Sequence, residues 1–196
     1  IVSKAKESKL LKNKVFFASD SSVDITKIYH PRDIKDFKAE NNIPLDKKVA
    51  LLCAQSNDPH KGAQYFEECA RKCVDDDIIF IQVAFNGDEE RLPPNFIPVP
   101  FVNNSETMAM YYSLADVYVC TSVSDAQPHT CLEALGCGTP IIGFDVSGVP
   151  YVASEEFGAF VEPFDVEKLA EAKYFLEDSV YCNEQLVKVL LNFIEG

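Results

Sequence analysis

Two carboxylates flank a short polar turn in the second half of the chain, and their spacing points to a ligand site. Asp125 precedes the turn, and Glu133 follows eight positions later inside a helix predicted from about residue 129 to residue 136. Pro128 stands where the first turn of a helix tolerates proline. The unpaired N–H groups at the start of that helix favour a bound anion. Two carboxylates beside an anion-binding turn suit a nucleotide sugar.

A third candidate, Lys61, precedes Gly62 at the start of another predicted helix, after a loop that follows an apolar strand. An ammonium group there lies next to unpaired backbone donors, where a diphosphate can bind. Each of the three residues also has an ordinary structural explanation. Lys61 can be a surface lysine, Asp125 can be a helix cap, and Glu133 can be a buried carboxylate hydrogen-bonded to nearby backbone.

Histidine and cysteine do not form a second chemical site. His129 and Cys131 are two positions apart on a helix and therefore do not face one another. No third residue orients them for nucleophilic catalysis, and two ligands are too few for zinc. The seven cysteines form no CxxC pair, so we expect reduced core thiols, with neither a disulfide framework nor a zinc site; they are Cys53, Cys69, Cys73, Cys120, Cys131, Cys137 and Cys182. We also expect neither a metal nor a cofactor.

Charge and length restrict the class of protein. The 196 residues carry a net charge of −13, which is opposite to the basic footprint of a nucleic-acid-binding protein. Residues 1–50 are locally basic, with 11 Lys and Arg against 7 Asp and Glu, as in a solvated helix or a segment facing anionic lipid. The chain has neither a signal peptide nor a membrane-spanning run. We therefore predict a cytoplasmic protein, with the inner face of the membrane as an alternative location.

Apolar strands and amphipathic helices alternate along most of the chain. Strands are predicted at residues 15–18, 49–53, 78–84, 99–102, 117–120, 140–144 and 159–161. Helices are predicted at residues 3–12, 32–41, 62–73, 106–114, 129–136 and 165–177, and from residue 183 to about 194. This alternation predicts one α/β domain over residues 1–196: a doubly wound, Rossmann-like parallel sheet with helices on both faces. Residues 1–30 form a peripheral lead-in, and residues 31–196 form the core and the C-terminal helices.

The polar turn and its flanking elements resemble the C-terminal, donor-binding domain of the group 1 retaining glycosyltransferases, whose fold is called GT-B. The similarity extends from about residue 30 to residue 176. The run at residues 112–119, Tyr-Ser-Leu-Ala-Asp-Val-Tyr-Val, looks like the family's strand before the loop. Asp125 to Glu133 resembles the E-x7-E motif with Asp in first place. The runs at residues 132–142 and 157–165 are similar to the family's following segment and its last strand and turn.

The resemblance implies a role for each candidate residue. Glu133 would hold the ribose hydroxyls, Asp125 would contact a hydroxyl of the donor sugar, and Lys61 would neutralise the leaving diphosphate. The nucleobase would lie near Val102 and Asn103. Backbone N–H groups facing the sugar and pyrophosphate would come from the turn formed by Gln127, Pro128, His129 and Thr130.

The implied activity is that of a retaining, metal-independent transferase. It would move a hexose from a UDP- or GDP-sugar to an acceptor in polysaccharide or glycoconjugate synthesis. The acceptor site of a GT-B enzyme lies on an N-terminal domain across the cleft, which we expect to be missing from this chain. The isolated domain should then bind the donor without transferring sugar, and the full-length protein would be a candidate for peripheral membrane association.

Two positions depart from the family pattern. The family usually has an arginine after the first core strand, where this chain has Ala54, Gln55 and Ser56. Tyr151 stands where the family often has a glutamate, which leaves the donor sugar undetermined. Two alternatives remain open. The missing arginine supports a non-catalytic nucleotide-sugar-binding or scaffolding domain, and one half of a GT-B-like epimerase would also place carboxylates near a phosphate.

Overall fold

The computed structural model describes residues 22–172, together with residues 7 and 9. The strand predicted at residues 15–18 and the helix predicted from residue 183 lie outside the described residues. The helix predicted at residues 3–12 is described only at two positions, and the helix predicted at residues 165–177 only up to residue 172.

The core is a six-stranded sheet in which every neighbouring pair of strands is parallel. The strand order is β3-β2-β1-β4-β5-β6. Because the order reverses between β1 and β4, connections leave these two strands in opposite directions and open a crevice at their carboxyl ends. The strands are β1 (Lys48–Cys53), β2 (Ile78–Val83), β3 (Phe96–Val99), β4 (Val117–Cys120), β5 (Ile141–Phe144) and β6 (Gly158–Val161).

Helices cover both faces of the sheet. The described helices are α1 (Lys35–Glu40), α2 (Ala63–Lys72), α3 (Ser105–Leu114), α4 (His129–Gly136) and α5 (Val166–Glu171), with 3-10 turns at Glu89–Arg91 and Val149–Tyr151. Side chains of α1, α3 and α4 share one hydrophobic cluster with the sheet. Those of α2 and α5 share the other. The predicted doubly wound fold is confirmed.

The third strand lies earlier in the sequence than predicted. We predicted it at residues 99–102, but the structure places it at Phe96–Val99, with Val102 in the loop that follows. Among the described residues β3 pairs only with β2, so it is an edge strand. Proline is tolerated in an edge strand because its missing N–H removes no bond from the ladder. Pro98 is therefore part of β3 rather than a spacer before it.

Residues 22–30 contact the core, although the sequence placed them in a peripheral lead-in. The ring of Tyr29 packs edge-on against Tyr112, with ring centroids 6.1 Å apart. The backbone carbonyl of Tyr29 lies so close to Gly136 that a Cβ there would come within 2.8 Å of it. This segment therefore covers part of α4 and reaches the crevice.

Two further observations concern the cysteines and the length of the helices. Five of the six cysteines within the described residues are buried, where the sequence predicted core thiols. Between residues 22 and 172 no helix has both the length and the apolar surface needed to cross a bilayer.

Candidate functional site

A cleft of about 400 Å³ opens at the carboxyl ends of β1 and β2, beside the first turns of α4. Five of the predicted site residues line it: Lys61, Val102, Asn103, Thr130 and Glu133. The other four, Asp125, Gln127, Pro128 and His129, lie in the adjoining turn and not in the lining itself. The remaining lining residues are Tyr29, Cys53, Ala54, Gln55, Asp58, Val83, Ala84, Phe101, Asn104, Ser105, Met108 and Tyr112.

Lys61 and Asp125 form an ion pair at the edge of the cleft. The distance from Nζ of Lys61 to Oδ2 of Asp125 is 2.7 Å, and the side chains are 36% and 17% exposed. Burial lowers the pKa of Lys61, but the hydrogen bond to Asp125 and its charge outweigh burial, so the pKa lies above its usual value. Lys61 is therefore cationic at neutral pH.

Asp125 is not a helix cap. The N-cap of α4 is Pro128, and no side chain caps that helix. The Oδ1 atom of Asp125 instead accepts a hydrogen bond from the backbone N–H of Gln127 at 3.2 Å. Its two oxygens therefore connect the turn before α4 to Lys61 on a different loop.

The loop after β1 and the loop after β4 are joined by direct hydrogen bonds. The hydroxyl of Thr121 donates to the carbonyl of Lys61 at 2.9 Å, and the N–H of Val123 donates to the carbonyl of His60 at 2.9 Å. Gly62 makes this approach possible, because a Cβ there would lie 2.1 Å from the carbonyl oxygen of Thr121 and its φ is +65°. Only glycine adopts that conformation without strain. The position of Lys61 is thus fixed by the loop after β4 as well as by its own loop.

The turn that carries Asp125 packs against Gly148, and this contact predicts a stability effect. The N–H of Gly148 donates to the carbonyl of Asp125 at 2.7 Å. A Cβ at Gly148 would lie 1.7 Å from the carbonyl oxygen of Ala126. We expect Gly148→Ala to displace the turn and lower the free energy of unfolding by about 1–3 kcal/mol, the usual cost of overpacking. Urea denaturation measures this change.

Gly87→Ala is the matched control for Gly148→Ala. Its Cβ would meet the far end of the Phe85 ring rather than backbone, and a side chain can move aside at little cost. Equal stability losses in the two variants would contradict the proposed packing of the turn.

Glu133 is oriented by a buried tyrosine. The hydroxyl of Tyr112, a residue without exposed surface, donates to Oε2 of Glu133 at 2.7 Å. Burial raises the pKa of Tyr112 well above its usual value, and Glu133 raises it further. Burial and the neighbouring Glu133 also raise the pKa of Tyr29 to about 12. Tyr112 is therefore a neutral donor to the carboxylate at physiological pH.

The raised pKa of Tyr29 predicts a loss of stability in alkali. An unfolded tyrosine ionises near pH 10, whereas Tyr29 in the folded protein ionises near 12. Between these values the folded state holds a proton that the unfolded state has lost, so its stability falls as pH rises. We expect urea denaturation at pH 9 to 11.5 to show this fall, and a shallower one in Tyr29→Phe. Identical slopes for the two proteins would contradict the shift.

The first turn of α4 presents backbone donors at the cleft. The first N–H groups of a helix have no partner within it. Those of His129 and Thr130 have no acceptor elsewhere in the part of the chain that the structure describes. Thr130 lines the cleft, whereas the side chain of His129 is exposed outside it. The site thus combines one ammonium, an oriented carboxylate and helix N–H groups.

Several lining residues were not predicted as site residues. Tyr29 and Tyr112 meet at Glu133, although they are 83 positions apart in sequence, and no local pattern indicates such a contact. Gln55 and Asp58 belong to the polar loop after β1, which was predicted to lie at a strand's carboxyl end. The location of this loop at the carboxyl end of a parallel strand could have identified Gln55 and Asp58 as site residues, because ligands of doubly wound folds bind there.

The fold and the cleft define a Rossmann-like domain of the GT-B type, with polar groups gathered at the switch point of its sheet. The chain belongs to the family described as "Glycosyl transferases group 1", whose sequence profile matches residues 33–186. No curated protein matches it at a significant level.

Solved structures share this fold. Sucrose-phosphate synthase from Thermosynechococcus elongatus is 25% identical, with a TM-score of 0.68 over 86% of this chain and 47% of that protein. The C-terminal domain of LpcC, a group 1 glycosyl transferase from Francisella tularensis, is 19% identical with a TM-score of 0.69 over 86% and 97%. Anabaena HepE with UDP-glucose is 16% identical with a TM-score of 0.69 over 87% and 56%. The chain corresponds to a C-terminal GT-B half and spans about half the length of sucrose-phosphate synthase.

Proposed function

We propose that this domain is the donor-binding half of a retaining glycosyltransferase that takes a hexose from a nucleotide diphosphate sugar. The observation that carries the proposal is that Lys61 and Glu133 face one cleft at the switch point of the sheet. A cation and a carboxylate in one cleft match the two polar parts of a nucleoside diphosphate. Membership in the group 1 family supports the same assignment.

Each end of the donor has a matching group in the cleft. Glu133 accepts hydrogen bonds from the ribose hydroxyls, and the bond from Tyr112 to Oε2 fixes the orientation of its carboxylate. Lys61 and the N–H groups at the start of α4 bind the diphosphate. Asp125 lies beside Lys61, where it contacts a hydroxyl of the sugar. Val102 and Asn103, which also line the cleft, contact the nucleobase.

Stabilising the leaving group is the chemical task of this site. Cleaving the bond between the sugar and the diphosphate leaves negative charge on the phosphate oxygen. Lys61 and the helix N–H groups are already in place where that charge develops, and losing one preorganised donor typically costs about 2.7–4 kcal/mol of transition-state stabilisation. These groups allow the transfer to proceed without a metal ion.

A panel of nucleotides tests the proposal. The chain is titrated by calorimetry with UDP, GDP and ADP. The same titrations are made with uridine, guanosine and adenosine, and with the glucose conjugates of the three diphosphates. The structure of HepE with UDP-glucose favours the uridine series. We call the nucleotide that binds most tightly the reference diphosphate. A failure of all three nucleotides to bind would contradict the proposed function.

The domain alone should not complete the reaction. We propose that the acceptor is bound by an N-terminal GT-B domain, and that a cytoplasmic or membrane-associated full-length protein acts in polysaccharide or glycoconjugate synthesis. We therefore expect no acceptor-dependent release of nucleoside diphosphate from this chain, as measured by a coupled assay. Steady turnover above a control without acceptor would overturn this prediction.

A second candidate, a non-catalytic domain that binds nucleotide sugars, is favoured by one observation. Lys61 is the only basic side chain among the described residues that line the cleft. Binding a nucleotide sugar requires fewer positive charges than stabilising the diphosphate as it leaves, so a single lysine is better matched to binding alone. The two candidates differ in the full-length protein. Sugar transfer by it would exclude the second, and donor binding without transfer would support it.

A further inference from the structure

Gln82 is a fully buried amide in a strand whose other residues are all apolar. An amide buried without hydrogen bonds costs several kcal/mol, so its partners identify what it supports. Its Nε2 donates to the carbonyl of Ala54 at 2.9 Å and to the hydroxyl of Ser56 at 3.1 Å. Both partners belong to the loop after β1, and Gln82 itself does not line the cleft.

A second contact holds the same loop from the end of β2. The N–H of Ser56 donates to Oδ1 of Asn86 at 2.8 Å, and the N–H of Asn86 approaches the Ser56 hydroxyl at 3.4 Å. The N–H of Ala54 donates to the carbonyl of Val83 at 3.0 Å. The main chain is thus fixed at residue 54 and at residue 56, the two neighbours of Gln55.

Gln55 lies between these two fixed residues, lines the cleft and is exposed. Its carbonyl accepts from the N–H of Asp58 at 3.2 Å. Within residues 22–172 its backbone N–H and its side-chain amide have no protein partner. The loop continues to Lys61, which lines the same cleft. A donor held in place before the ligand arrives loses less conformational entropy on binding.

We propose that the side-chain amide of Gln55 donates a hydrogen bond to the diphosphate of the bound donor, and that Gln82 is the positioning residue that presents it. The inference rests on the proposed function. Gln55 supplies a neutral donor in the same cleft as the ammonium group of Lys61. Gln82 acts through the main chain at Ala54 and Ser56 and does not touch the ligand.

Gln55→Ala tests the contact directly, because the side chain is exposed and its loss should not prevent folding. We expect the reference diphosphate to bind about five- to tenfold more weakly, as for the loss of one hydrogen bond of ordinary net strength. The matching nucleoside should bind equally well to both proteins. Gln64→Ala, an exposed position on α2 outside the cleft, should leave both affinities unchanged.

Gln82→Met tests the positioning role, because methionine keeps the length of the side chain without the amide. We expect it to weaken diphosphate binding by a similar factor alone and to have no further effect in a Gln55→Ala background. A purely structural role would instead weaken nucleoside and diphosphate binding together and persist in that background. Should Gln82→Met fail to fold, Ser56→Ala removes the accepting hydroxyl without changing the core.

The outcomes separate this inference from the proposed function. Diphosphate binding by Gln55→Ala within twofold of the wild type would overturn the inference and leave the proposed function standing. Additive losses in the double variant would overturn the positioning role of Gln82. A wild-type protein that binds none of the three nucleotides would overturn both the proposed function and the inference.

Discussion

Replacing Lys61 with methionine is expected to weaken binding of the reference diphosphate about 100-fold, which corresponds to roughly 2.7 kcal/mol. The substitution removes the only cation among the described residues that line the cleft. It also leaves Asp125 without its ion-pair partner, next to the position of the diphosphate. Charge-assisted hydrogen bonds are the strongest of their kind, and the uncompensated carboxylate would then repel the ligand. Calorimetric titration measures the affinity.

Two controls distinguish a direct contact between Lys61 and the diphosphate from a general effect of removing one positive charge from the protein. Binding of the matching nucleoside should change by less than about twofold, since it carries no phosphate. Lys47→Met is the matched control: Lys47 is 35% exposed and paired with Asp77, close to the 36% of Lys61, but lies outside the cleft. The double variant Lys61→Met with Asp125→Asn should recover part of the lost affinity. Equal losses for nucleoside and diphosphate would contradict the assignment of Lys61.

Replacing Glu133 with glutamine has the second-largest expected effect, and it should act on the other end of the ligand. An ionised carboxylate accepts from both ribose hydroxyls, whereas the amide of glutamine presents only one acceptor oxygen. We expect the matching nucleoside and the reference diphosphate each to bind about 10- to 100-fold more weakly. Titration with a 2′-deoxynucleoside diphosphate should show a smaller difference between the two proteins.

The fold should survive the Glu133 substitution, because a glutamine oxygen still accepts from the Tyr112 hydroxyl. Glu156→Gln, an exposed position outside the cleft, removes the same charge and should not change either affinity. A loss confined to the diphosphate, with unchanged nucleoside binding, would contradict the placement of the ribose at Glu133.

Much of the sheet could be predicted because its strands are short apolar runs between polar turns. The predicted bounds of β4 and α4 coincide with those in the structure. The predicted bounds of β3 were wrong: the strand was placed at residues 99–102, after Pro98, whereas it runs from Phe96 to Val99 and includes that proline, which an edge strand tolerates. Whether a strand lies at an edge depends on the order of strands in the sheet, and the hydrophobic periodicity of the sequence does not reveal that order.

The site could be predicted only in part. Lys61 was singled out because it follows a buried strand at a helix start, and Glu133 because it lies inside a helix after another strand and matches the family's motif; parallel strands bring such positions to one edge, and both residues line the cleft. The partners that hold them were missed: Tyr112 at Glu133, and Gln82 beneath the loop that leads to Lys61. Both are buried polar groups whose partners are distant in sequence. A buried polar residue indicates that a partner exists, but only the packed structure identifies it.

The orientation of a nucleotide in the cleft is the central claim, and a crystal structure of this domain with the reference diphosphate tests it most directly. We expect the diphosphate within hydrogen-bond distance of Lys61 and the first turn of α4, and both ribose hydroxyls at Glu133. A nucleotide bound outside the cleft, or bound with its diphosphate at Val102 and its base at Lys61, would contradict it.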